Sequence, residues 1–204
     1  MMVLLAFGVP ARFEPLVEEG GSIMPDTAGL IGLTIVFLQF AAILALWVYI
    51  KPLGKQIGLS ETQTGLSISI ALGSQILAGF TAAAIAGRTR PLLVLVTVAI
   101  ASIAATAMVA LASSSLVFTL GTASFAFLWM FAPPSHLPFL LRLDPGGQSA
   151  AFISVAQIGG LSVGPLIASF AVTQHDPSGA AWVALALLLA GAAIGTAVTR
   201  FSPR

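Results

Sequence analysis

The sequence contains no cysteine and no asparagine, and charged residues make up only 7% of its 204 positions. Without cysteine there can be no disulfide, no thiolate nucleophile and no cysteine-based metal site. Without asparagine there can be no paired Asn-Pro-Ala turns of the kind that aquaporin half-helices use. The net charge of +1 is too small to favour nucleic acid as a partner.

What the chain does contain is apolar sequence, with 58% hydrophobic residues and a mean hydropathy of +1.05. A helix that crosses a bilayer needs about 20 consecutive, predominantly apolar residues. Six stretches, called spans 1 to 6, meet this requirement without a Lys, Arg, Asp or Glu in their middle: 27–50, 62–87, 91–112, 115–140, 149–172 and 179–199. We therefore predict an all-α, polytopic membrane protein with six transmembrane helices.

The basic residues divide unevenly between the two sides of such a bundle. If the N-terminus is cytoplasmic, Lys51 and Lys55 lie outside and six arginines lie inside, namely Arg12, Arg88, Arg90, Arg142, Arg200 and Arg204. Cytoplasmic loops are enriched in Lys and Arg, so we predict a multi-pass protein of the cell's inner membrane with both termini in the cytoplasm. Residues 1–26 then form a cytoplasmic leader, 27–200 the transmembrane domain and 201–204 a cytoplasmic tail.

Proline and glycine indicate where the helices should end or bend. The stretch 51–60 has one proline and two glycines and is expected to be a loop, followed by a helix that begins after Ser60. The turn between spans 2 and 3 is short and contains Arg88 and Arg90. In span 4, the prolines around His136 lack backbone donors and should bend or break the helix.

Polar side chains are unevenly distributed among the spans, and spans 3 and 6 are aliphatic enough to face lipid. An unpaired amide in hydrocarbon is costly, so the polar side chains of the other spans should face the bundle, a cavity or a partner chain. The candidates for lining a substrate cavity are Gln39, Gln75, Trp129, His136 and Gln157. Alternatively, each glutamine only joins helices, through hydrogen bonds of about 0.6–2 kcal/mol, and His136 caps the broken helix.

Small residues form stripes on two spans, where helix backbones can approach each other closely. The stripe of span 5 consists of Gln157, Gly160, Gly164 and Ala168, and that of span 2 of Ala71, Gln75, Gly79, Ala83 and Gly87. We predict close helix packing at both faces, including contact with a partner.

Residue combinations that support catalysis are missing from the spans. Ser135 and His136 are adjacent in sequence and diverge on a helix, so they cannot form a nucleophile–base pair. The sequence has no pair of intramembrane aspartates and no His/Glu zinc motif. We therefore predict neither an enzymatic activity nor a cofactor or metal site.

Three segments resemble the major facilitator superfamily, in particular one six-helix half of such a transporter. Residues 47–60, which begin WVYIKPLG, are similar to the exit of a half's first helix and the entry into its second. Residues 79–91, which end GRTRP, are similar to a shortened form of the glycine-and-arginine loop after the second helix. Residues 157–165, QIGGLSVGP, are similar to the G-x-x-x-G-P stretch of the fifth helix. The loop lacks the family's acidic residue, which is typical of the C-terminal half.

This resemblance implies half of a transporter that moves a small molecule by alternating access. The chain is then a fragment of such a transporter, one part of a split transporter, or a half that pairs with another copy. The resemblance also implies that spans 1 and 4 line the cavity, spans 2 and 5 meet the other half, and spans 3 and 6 face lipid. Gly160, Gly164 and Pro165 match the fifth-helix motif, and Arg88 and Arg90 match the cytoplasmic loop. The expected partners are membrane lipid, the substrate and the second half. A non-transporting membrane scaffold and a six-helix exporter of another family are the alternatives.

Overall fold

A computed structural model describes residues 24–173 and 175–201, which fold into helices without any β-strand. The helices are α1 (Thr27–Trp47), α2 (Ile50–Gln56), α3 (Glu61–Ile85), α4 (Pro91–Ala110), α5 (Ser115–Phe131), α6 (Pro133–Leu143), α7 (Gln148–Ala151), α8 (Ile153–Ala171) and α9 (Ser178–Phe201). The predicted leader up to residue 23 and the predicted tail from residue 202 lie outside the described residues.

Five helices, α1, α3, α4, α8 and α9, are long and apolar enough to cross a membrane, and the bent pair of α5 and α6 makes a sixth candidate span. The axes of α5 and α6 differ by 48° on either side of Ala132. Pro133 and Pro134 occupy the first two positions of α6, where a helix needs no backbone donor, so the chain restarts at a new angle. The predicted break in span 4 is confirmed.

Local capping explains where several helices begin. At the start of α1, the Asp26 carboxylate accepts a hydrogen bond of 2.6 Å from the Gly29 backbone N–H. Ser60 and Gln63 form a reciprocal capping box at the start of α3, which confirms the predicted beginning after Ser60. Pro91 is the first residue of α4.

The predicted loop over 51–60 is wrong in its first half, because Ile50–Gln56 forms helix α2. Pro52 lies in the first turn of α2, where its missing N–H has no helical acceptor. Gly54 permits close packing on α3, since a Cβ at this position would lie 2.8 Å from Thr64 Oγ1. The loop that follows turns at Gly58, whose φ of +81° is in the left-handed region that favours glycine.

Successive spanning helices run antiparallel, so the bundle has two ends. The lower end carries the start of α1, the turn between α3 and α4, and the C-terminal ends of α6 and α9. The upper end carries α2 and the loop between α8 and α9, where Gln56 Nε2 donates to Asp176 Oδ1 at 3.0 Å. Hydrogen bonds from Ser178 and, to a smaller extent, from Gln56 lower the pKa of the exposed Asp176 carboxyl.

Helices α1 and α5 occupy equivalent places in the packing. Helix α1 packs against α8 and α9, helix α5 packs against α3 and α4, and α4 and α9 pack against each other. The main core joins the buried face of α1 with Phe118 and Phe125 of α5 and with small residues of α9.

The two most extensive helix pairs use different contacts. Helices α1 and α8 approach through glycines of α8, as described below. Helices α3 and α5 are joined by hydroxyl groups, since Ser67 Oγ lies 2.7 Å from Thr119 Oγ1 and Ser74 Oγ donates to the Ala123 carbonyl at 2.8 Å.

Candidate functional site

Gln39 in α1 and His136 in α6 contact each other inside the bundle. His136 Nε2 lies 3.0 Å from Gln39 Oε1, and the Phe40 ring packs edge-on against the imidazole at a centroid distance of 5.8 Å. His136 is fully buried, whereas Gln39 is partly exposed. With the Gln39 oxygen as acceptor, Nε2 carries the proton, and Nδ1 has no hydrogen-bond partner among the described residues.

Both residues line a cavity between α1, α4, α6 and α9, which we call the groove. Its volume is about 460 Å³, within the range of about 300–1,000 Å³ that ligand sites have. It extends from Leu92 at the lower end of α4 to Ser102, about 15 Å deeper at 1.5 Å of helical rise per residue. Most of its walls are aliphatic, with a few polar side chains at defined places.

The polar groups of the groove lie at its two ends. Arg142, in the last turn of α6, is exposed at the lower end and forms no ion pair or hydrogen bond with any described residue. Ser102, which is 5% exposed, lies at the deep end of the cavity that Gln39 and His136 also line. No carboxylate lines the groove in the described part of the chain, so its only permanent charge is positive.

Gly191 and Gly195 of α9 form part of the groove wall. A Cβ at Gly191 would lie 3.7 Å from Leu38 Cβ, and one at Gly195 would lie 3.8 Å from Ile35 Cδ1, both ordinary van der Waals distances. Packing of α9 on α1 therefore does not require glycine at either position. The consequence of the missing side chains is that the groove stays open.

Spans 3 and 6, which we expected to face lipid, supply much of the groove wall as α4 and α9. A helix that is aliphatic on all sides gives no periodic signal for its inward face, so sequence reasoning missed this role. The available signals were Ser102 in α4 and the small-residue pair Gly191 and Gly195 in α9, and neither indicates by itself that its helix borders a cavity.

The other three predicted cavity residues lie away from the groove. The indole of Trp129 packs edge-on against that of Trp47, with ring centroids 5.7 Å apart. Gln75 on α3 and Gln157 on α8 are partly exposed and have no hydrogen-bond partner among the described residues. Of the five candidates, the structure thus brings only Gln39 and His136 together.

The small-residue face of span 5 packs against α1 of the same chain, whereas we expected it to be available to a partner. A Cβ at Gly160 would collide with the Phe37 carbonyl oxygen, and one at Gly164 would collide with the Ala41 carbonyl oxygen. Pro165 follows within α8, which continues to Ala171. These glycines permit helix contact within one six-helix unit.

The buried face of span 2 differs from the predicted stripe. The inward residues of α3 are Thr64, Ser67, Ala71, Ala78 and Ala82, and a Cβ at Gly79 would have no atom within 4 Å. An α-helix turns about 100° per residue, so each step of four residues advances about 40° around the axis. The predicted run from Ala71 to Gly87 therefore winds away from α5, which leaves Gly79 on an open face.

Arg88 and Arg90 are exposed in the turn between α3 and α4. Arg88 Nη1 donates to the Ala84 carbonyl at 2.6 Å, which satisfies an acceptor of the last turn of α3. Gly87 supplies the positive φ of +74° that the chain needs to leave this helix.

Asp144 is a buried polar residue that the sequence indicated only as part of a turn. Its Oδ2 accepts a hydrogen bond of 2.6 Å from the Ser149 backbone N–H. Gly29 of α1 lies against it, since a Cβ there would be 3.2 Å from Asp144 Oδ2. Asp144 thereby joins the end of α6 to α7 by a hydrogen bond and packs against the start of α1.

The resemblance to the major facilitator superfamily depends on the three quoted segments. No protein-family model matches the chain, and no curated protein is significantly similar to it.

Proposed function

We propose that the chain is one six-helix half of a secondary transporter of the major facilitator type, which moves a small molecule by alternating access. The observation that carries this proposal is the order in which the helices pack. If every span is exchanged with the span three places along the chain, α1 exchanges with the α5–α6 pair, α3 with α8, and α4 with α9.

This exchange maps the main helix contacts onto one another. The packing of α1 against α8 corresponds to the packing of α5 against α3, and the packing of α1 against α9 corresponds to that of α5 against α4. The contact between α4 and α9 corresponds to itself. The contact between α8 and α9 is the exception among these helix pairs, because its counterpart, the contact between α3 and α4, is much smaller. Helices three spans apart run in opposite directions, so the arrangement corresponds to an inverted repeat, as found within each half of these transporters.

The outer faces of α3 and α8 support a second half as partner. Both helices bury few of their residues within the chain, and each carries a glutamine without a hydrogen-bond partner among the described residues. Gln75 and Gln157 would be costly against hydrocarbon, so in this proposal both face the polar pathway between the halves. In this proposal the second half is another copy, a separate chain or the rest of a longer chain, and the substrate passes between the halves.

The proposed orientation in the inner membrane places the lower end of the bundle in the cytoplasm, because Arg88, Arg90 and Arg142 lie there. The substrate pathway then opens to each side in turn around a site near mid-depth.

Labelling of single cysteines in sealed proteoliposomes tests this proposal. The chain has no native cysteine, so Gln75→Cys and Gln157→Cys can be exposed to an impermeant thiol reagent from either side without background. Alternating access predicts that both positions react from both sides, because a pathway residue is hydrated in each state. Leu189→Cys, on an exposed part of α9, is the control and should react from neither side.

A scaffold gives a different result in this experiment. Its interface or lipid-facing positions stay dry, so Gln75→Cys and Gln157→Cys would be as unreactive as Leu189→Cys, and the transporter proposal would be rejected. Mass measurement of the purified chain in nanodiscs then distinguishes a pair of identical halves from a single copy.

A further inference from the structure

We propose that the groove between α1, α4, α6 and α9 binds a single acyl chain that ends in an anionic group, with the chain along the aliphatic walls and the anion at Arg142. This inference goes beyond the proposed transport and does not depend on it, since four helices of one six-helix unit line the groove.

The shape of the groove fits a narrow apolar ligand. A volume of about 460 Å³ is distributed over a length of about 15 Å along four helices. Gly191 and Gly195 keep one wall without side chains although packing against α1 does not require it. Ala99 and Ala192 also line the groove, so small residues from two helices define the space that a flexible chain would fill.

The charge at the lower end selects the head group. Arg142 lines the groove, is exposed, and has no carboxylate partner among the described residues. A guanidinium binds carboxylate and phosphate oxygens through two parallel hydrogen bonds, which a quaternary ammonium group cannot accept. Because no acidic residue lines the groove in the described part of the chain, nothing there repels an anion.

The deep end limits how far the apolar chain extends. Gln39, His136 and Ser102 place polar atoms there, and the His136–Gln39 hydrogen bond holds α6 against α1. A chain that entered from the lower end would therefore pass aliphatic side chains first and end at this polar group. From the lower end to the deep end, the groove presents the Arg142 cation, then aliphatic side chains, then polar groups. This order fits a ligand whose apolar chain carries a charged group at one end.

Binding of oleate to the full chain in phosphatidylcholine nanodiscs tests the proposal. Arg142→Gln should weaken oleate binding about tenfold, the effect of losing one charge-assisted contact. It should leave the binding of uncharged oleyl alcohol unchanged. The matched control is Arg88→Gln, which removes an exposed arginine of the same end that does not line the groove.

A second set of variants tests the proposal by placing larger side chains in the groove. Gly191→Leu should reduce oleate binding at least tenfold, and Gly79→Leu, on the open face of α3, should not change it. Melting curves in detergent verify that each variant folds. If Gly191→Leu fails to fold, Ala99→Phe fills the same space from the opposite wall and has the same expected effect.

The proposal would be overturned by unchanged oleate binding in Arg142→Gln, or by unchanged binding in the folded groove-filling variants. Equal affinity for oleate and oleyl alcohol in the unmodified chain would also reject the anionic end group. Addition of phosphatidylglycerol to the nanodiscs identifies the source of the chain. Competition with oleate supports one chain of an anionic membrane lipid as the occupant, and absence of competition supports a free long-chain carboxylate.

Discussion

At the scale of single residues, Gln39 and His136 form the side-chain hydrogen bond that joins α1 to α6. Hydrogen bonds between helices in membrane proteins contribute about 0.6 kcal/mol on average and up to about 1.7 kcal/mol. Removing one member of a buried pair costs more, about 1–3 kcal/mol, because the remaining polar group stays desolvated without a partner. His136 is fully buried, so this asymmetry should be measurable.

We expect Gln39→Leu and His136→Leu each to lower the free energy of unfolding by about 1–3 kcal/mol. The double variant should lose less than the sum, with a coupling energy of about 0.6–1.7 kcal/mol. Unfolding titrations of the four proteins in mixed micelles measure this cycle. Gln75→Leu combined with His136→Leu is the control pair and should be additive. Additivity of the Gln39 and His136 effects within about 0.3 kcal/mol would contradict the pairing.

At the scale of helices, sequence reasoning located the ends better than the contacts. Ser60, Pro91 and the prolines of span 4 determine helix ends through local chemistry, which a sequence displays directly. The partner of a glycine face is not local information. Gly164 and Gly191 both belong to small-residue patterns, yet Gly164 touches the Ala41 backbone and Gly191 borders the groove. Only the three-dimensional arrangement separates these two roles.

We expect Gly164→Leu to prevent the chain from folding as a stable unit, because the new side chain would occupy the position of the α1 backbone at Ala41. Overpacking a core typically costs about 1–3 kcal/mol, and a collision with backbone should exceed this range. Gly191→Leu should fold with a melting temperature near that of the unmodified chain. Thermal melting in detergent, read by size-exclusion chromatography, measures both. Greater damage from Gly191→Leu would mean that the α1–α8 contact is misassigned.

At the scale of the whole molecule, the number of helices and their apolar character were predictable because about 20 apolar residues per span is a strong signal. The groove was not predictable, since it is lined by α4 and α9, whose uniform composition hides the inward face. Gln39 and His136 were identified individually from their polarity. Their contact depends on the bend at Ala132, and a sequence indicates such a bend without its angle.

The proposed topology rests on the distribution of basic residues and has its own test. We expect cysteines at Ser114 and Ser178, both at the upper end, to react with an impermeant reagent added to intact cells. Cysteines at Thr89 and Gly146, at the lower end, should react only after the membrane is permeabilised. The reverse pattern would show that both termini face outward.

The bend at Ala132 also has a consequence for hydration. Pro133 and Pro134 have no N–H, so the carbonyl oxygens of Trp129 and Met130 lack the donors that an uninterrupted helix would provide. In a bilayer such carbonyls are tolerated only where water or a side chain reaches them. We therefore expect ordered water at these carbonyls of span 4, beside an otherwise dry helix. The amide infrared band of an isotope-labelled Trp129 carbonyl should shift when the solvent is deuterated.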